Sequence, residues 1–174
     1  MKQKIDKKWI VTITTIAFAI SLLLSLISEL IIPNTYILIS VIVVLFVILL
    51  GVLFDMIGVA ITVAEEKAFN SMASKNIKRA NLALKLIKNK DKVSSFCNDV
   101  IGDVCNIISG SAGIVVATSI SQKSNIDTTI STLLVTSLIA AFTIGGKALG
   151  KGFDVNQSEQ IVTRVSKIIN IFSN

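Results

Sequence analysis

Asp99, Asp103 and Asn106 stand inside a stretch that is otherwise apolar enough to cross a bilayer, Val93 to Ile120. At 100° per residue, Ser95, Asp99, Asp103 and Asn106 fall within an arc of roughly 80°, with Gly102, Ser109 and Gly110 on or beside it. A central aspartate costs about 2.5–3.5 kcal/mol on the insertion scale, so two are expensive. They are tolerable where that face looks into a protein interior or a wet cavity. Two carboxylates one turn apart cannot both ionise cheaply in a low-dielectric place, so a cation or a proton must neutralise them. Magnesium takes oxygen ligands, keeps several waters and uses one or two carboxylates. Aspartates with Asn106 and the hydroxyls of Ser95 or Ser109 fit that hard cation. Asp55, with Gly58 and Thr62 on one face of the preceding apolar run, is the third carboxylate at bilayer depth. The alternative is that these polar groups hydrogen-bond across helices and only fix the bundle.

Other chemistries find little support. There is no histidine among the 174 residues, which removes imidazole catalysis and the commonest metal ligand. Cys97 and Cys105 are eight apart, match no zinc or redox spacing, and read as small packing residues. No HExxH, GxSxG or Walker loop is present, so the chain is expected not to be an enzyme. Lys147 and Lys151 either pair with an aspartate or face the cytoplasmic surface.

The elements that position these residues are membrane spans. The chain is 52% hydrophobic and 16% charged, with a mean hydropathy of +0.77, whereas a soluble domain has about 25% charged residues. Four long apolar runs predict an all-α integral membrane protein with four transmembrane helices. The runs are Trp9 to Ile32, Tyr36 to Ala64, Val93 to Ile120 and Thr129 to Leu149. The first is too long for a signal-peptide core. A lone strand in lipid leaves its backbone unsatisfied, so the β-branched second run is also read as helix.

Between spans two and three, eight Lys or Arg face three acids over residues 65–92. Phe69, Met72, Ala73, Ile77, Ala80, Leu84 and Ile87 recur there at helical spacing. This predicts a cytoplasmic amphipathic juxtamembrane helix, or two with a break near Ser74–Asn76, lying along the membrane surface. Residues 156–174 predict another, with Ile161, Val165, Ile168, Ile169 and Phe172 as its stripe. Inside segments 1–8, 65–92 and 147–174 hold 4, 8 and 4 Lys or Arg, against one in the two outer loops. That bias places both termini in the cytoplasm of a bacterial-type plasma membrane. The net charge of +6 sits at span ends, so anionic lipid head groups are the expected partner and nucleic acid is not.

From Leu53 to about Gly150 the order of parts resembles the transmembrane domain of the CNNM/CorC magnesium transporter family. MASKNIKRANLALKLIKNKDKV, residues 72–93, is similar to that family's basic amphipathic stretch. IGDVCNI, 101–107, is similar to its Ile-Gly-Asn signature, with Asp103 where Asn is usual. FTIGGK, 142–147, occupies the place of Gly-Glu-x-x-Pro-Lys. The family's acidic residue falls on Thr143, its proline on Gly146, and a serine of its first span on about Gly58. The resemblance implies magnesium transport and a homodimer formed through the membrane domain. Many relatives carry CBS pairs that these residues do not include. The expected organisation is one membrane domain: an extra amino-terminal span (1–35), a CNNM-like core (36–151) and a carboxy-terminal amphipathic helix (152–174). Asp99, Asp103 and Asn106 would line the cation site, with Asp55, Gly58 and Thr143 facing it. A non-transporting module that acts as a structural or regulatory partner is the alternative reading.

Overall fold

The computed structural model describes residues 7–31, 36–74 and 78–172. The lysines before residue 7, the turn at Pro33-Asn34-Thr35 and Lys75–Ile77 lie outside the described residues. The described chain is helical. Its helices are α1 (Lys7–Ile31), α2 (Ile37–Val63), α3 (Glu66–Ala73), α4 (Lys78–Lys88), α5 (Lys90–Ser95), α6 (Asp103–Ser124), α7 (Thr128–Asn156) and α8 (Ser158–Phe172). A π-helical turn, Phe96–Gly102, joins α5 to α6 without a break. Four stretches are long and apolar enough to span: Lys7–Ile27, Ile37–Val63, Lys90–Ser124 and Thr128–Phe153. A helix pairs its backbone groups within itself, as hydrocarbon demands.

The residues group into two compact units, one made of 1–51 and 103–143, the other of 52–102 and 144–174. In the first, α1 packs on α6. Val104, Cys105, Ile108, Ala112, Val116 and Ala117 of α6 are buried, as are Val44 and Ile48 of α2. α6 and α7 form a hairpin. Asn125 makes the turn with φ 53°, a left-handed conformation that asparagine tolerates better than most residues. Ser121 Oγ donates to the Ile126 carbonyl (2.7 Å) and lies 2.8 Å from Thr128 Oγ1. Buried Ser131 Oγ donates to the Ala117 carbonyl across the pair at 2.8 Å. Asp127 caps α7: its Oδ1 accepts the N–H groups of Thr129 (2.8 Å) and Ile130 (3.3 Å). A cavity of about 270 Å³ in this unit is lined only by apolar side chains, Val44, Ile48, Val116, Ile139 and Phe142 among them. It offers nothing to an ion.

In the second unit the amphipathic helices pack on one another. α4 lies against α3 and α8. Phe69, Ala83, Leu84, Ile87 and Val162 build a core with Ile61 and Ala64 from the end of α2. Packing on protein thus takes up apolar residues of these helices. The apolar face of α4 (Ala80, Ala83, Leu84, Ile87) is taken up by protein, while Lys85 and Lys88 are exposed. The inward face of α8 is also one residue away from the expected stripe. Val162 and Ser166 are 0% and 1% exposed, whereas Ile168 is 54% exposed. A short Ser side chain lets α8 approach its neighbour, and a hydroxyl that donates to the Thr163 carbonyl (2.9 Å) can be buried without loss.

Also in this unit, Gly146 and Gly150 of α7 lie against Val52 and Met56 of α2. A Cβ at Gly146 would stand 3.0 Å from Val52 Cγ2, and one at Gly150 2.9 Å from Met56 Cγ. The small-xxx-small spacing is therefore used for a close helix–helix approach.

Candidate functional site

α2 is almost pure hydrocarbon up to Gly51, and Asp55 is its one charged residue. The Asp55 carboxylate meets Lys147 of α7, Oδ1 to Nζ 3.4 Å, with both side chains largely buried. Pairing offsets the burial of either charge alone. The approach of α7 at Gly146 and Gly150 sets the two side by side. Of the two readings open for Lys147, pairing with an aspartate is the one observed. Lys151 is exposed.

One turn beyond Asp55 comes Gly58, and its neighbour is Asn98. The Asn98 carboxamide stands where a Cβ at position 58 would be. Its Oδ1 is buried and has no hydrogen-bond partner, while its Nδ2 reaches Ser94 Oγ at 3.5 Å. Buried polar oxygens are nearly always satisfied. An orphaned amide oxygen inside a span is a hard donor waiting for a proton donor or a cation. The Gly58 carbonyl accepts the Thr62 hydroxyl at 2.9 Å.

Asn98 sits in the π-helical turn. Bonding from i to i+5 needs more residues per turn than an α-helix, so each residue advances by less than 100°. The arc drawn through Ser95, Asp99, Asp103 and Asn106 assumes a constant step and does not carry across 96–102. Asp99 is exposed, in the same unit as Asp55, Gly58 and Asn98. Asp103, also exposed, belongs to the first unit with half-buried Asn106 and Thr143. Asn106 Oδ1 is the second buried amide oxygen without a partner. Ser109 is buried and donates back to its own helix, to the carbonyls of Cys105 (2.9 Å) and Asn106 (3.1 Å). Among the described residues, no three His, Cys, Asp or Glu side chains gather as a metal cluster. The Asn98 carboxamide thus stands against Gly58, one turn along α2 from Asp55, whose carboxylate is engaged by Lys147. Asn98 is absent from the set read from the sequence, because at 100° per residue it falls off the polar arc. Its signal is the second polar amide within the span, legible only once the π turn is known.

Four apolar helices with oxygen donors and one ion pair within them define a multi-pass helical membrane protein. The family model of the Cyclin M transmembrane N-terminal domain, CNNM, matches residues 41–174, most of the chain. The chain belongs to that family. Nothing among curated proteins and nothing among solved structures matches it.

Proposed function

We propose that this protein is a divalent-cation transporter of CNNM/CorC type, with magnesium as cargo, acting as a homodimer in a bacterial plasma membrane with both termini cytoplasmic. The observation that carries the reading is the buried, unpartnered Oδ1 of Asn98 beside Gly58, one turn from the Asp55 carboxylate, in a chain of this family. Hard oxygen donors suit magnesium, which keeps part of its water shell. π-helical turns recur at functional sites, and Asn98 lies in one. Asp99, in the same unit, supplies negative charge in the turn that carries Asn98. The role is binding and passage of an ion, with no bond made or broken.

The second reading is a non-transporting module of the same scaffold that serves as a partner of another membrane protein. What favours it is that Lys147 already neutralises Asp55. Proteoliposomes holding a magnesium-sensitive dye separate the two. The transporter reading expects uptake that Asn98→Ala and Asp99→Asn abolish. No uptake by wild type, together with co-purification of a larger membrane partner, would favour the module.

A further inference from the structure

Lys147 is not at a helix end, where a lysine is unremarkable. Asp55 lies about 27 Å along α2 from Ile37 and Lys147 about 28 Å along α7 from Thr128, at 1.5 Å per residue. The two helices bring these opposite charges to 3.4 Å of each other. Close packing at Gly146 on Val52 and Gly150 on Met56 holds them there. The ammonium occupies the one carboxylate of α2. A turn away, the Asn98 oxygen has no partner.

We propose that Lys147 is a tethered cation that holds Asp55 while no cargo is bound, and that a divalent cation reaches this carboxylate only by displacing it. The inference rests on the cation-transport reading and names how its site is regulated. One carboxylate cannot balance an ammonium and a divalent ion together, and in a low-dielectric place their mutual repulsion is strong. The carboxylate goes to the higher charge. Lysine is suited to leaving because its ammonium is a compact charge on a flexible stem that can reach toward the interface. Its side chain retains 24% exposure, so a route outward exists. The empty site stays electrically neutral, and occupancy is coupled to a swing of one side chain.

The test is manganese binding to the purified full chain, read as loss of the free-ion paramagnetic resonance signal. Wild type is compared with Lys147→Met, Lys147→Arg and the double variant Asp55→Asn/Lys147→Met. Removing the competitor should tighten binding about tenfold or more. Lys147→Arg keeps the charge balance and grips a carboxylate with two donors, so it should weaken binding. The double variant, with no charge left unpaired, should fold and lose the gain. Binding by Lys147→Met with no detectable binding by wild type also supports the proposal. Unchanged or weaker binding in Lys147→Met overturns it and leaves the transport reading standing. Wild-type affinity in Lys147→Arg, or a gain kept in the double variant, overturns it likewise. Should no variant and no wild type bind, both this inference and the transport reading fall.

Discussion

The carboxamide of Asn98 fills the space in which a side chain at position 58 would stand. Glycine at 58 and asparagine at 98 are therefore one feature. Gly58→Ala must push the carboxamide aside, and the end of an Asn side chain yields without moving backbone. We expect the variant to fold and to lose its stabilisation by magnesium. Gly58→Ala/Asn98→Ala relieves the clash but does not restore the effect. Thermal denaturation of the detergent-purified protein, with and without magnesium, reads both. Retained magnesium stabilisation in Gly58→Ala would remove Asn98 from the site.

Phe69 is 1% exposed in the core of the second unit. Truncating a buried phenylalanine costs about 3–5 kcal/mol, so Phe69→Ala should be severely destabilised. On α8 the inward face is tested by charge: Val162→Asp should unfold this unit, whereas Ile168→Asp stays within about 0.5 kcal/mol of wild type. Equal damage from the two would return α8 to the stripe expected from the sequence.

Packing of α7 on α2 depends on particular glycines. Gly146→Leu and Gly150→Leu should lower the melting temperature, because their side chains meet Val52 and Met56. Gly145→Leu and Gly152→Leu point into open space and should be nearly neutral. A like effect at all four positions would argue against this approach and against the Asp55–Lys147 pair it sets up.

Asp127 carries a pH signature. The N–H of Ile130, then the N–H and hydroxyl of Thr129, hold its carboxyl below the usual carboxylate value. A depressed folded pKa gives stability that is fully present above the unfolded value, about 3.9, and is lost as pH falls through the folded one. The melting-temperature gap between wild type and Asp127→Ala should be constant from neutral pH down to about 5 and close below about 4. A gap that widens in acid would contradict the cap.

How much of this was legible beforehand differs by element. The spans were, because hydrocarbon allows few alternatives: Trp9 to Ile32 is observed as Lys7–Ile31, and Tyr36 to Ala64 as Ile37–Val63. The two helices after α2 were legible from periodicity. Their burial against α8 was not, since a pattern shows that a face is apolar and not what covers it. Val162 and Ser166 replaced the bulkier stripe because a small hydroxyl side chain permits closer packing. The polar face of the third span was legible as composition, and its geometry was not. A π turn changes the angular step without a marker in the residue types, and with it Asn98 moves against Gly58. The Asp55–Lys147 pair joins residues 92 apart in the chain, and only tertiary packing selects it over a surface-facing lysine.

The central claim is that a divalent cation binds the folded chain through oxygens gathered near Asn98. The most direct measurement is thermal stability of the purified protein against magnesium concentration, with Asn98→Ala, Asp99→Asn and the double variant Asp55→Asn/Lys147→Met beside it. A ligand that binds only the folded state stabilises by RT ln(1 + [L]/Kd), about 2.7 kcal/mol at 100 times Kd. The account predicts that shift in wild type, its loss in Asn98→Ala and its reduction in Asp99→Asn and in the double variant. No shift in wild type at any concentration, or an equal shift in Asn98→Ala, would contradict it.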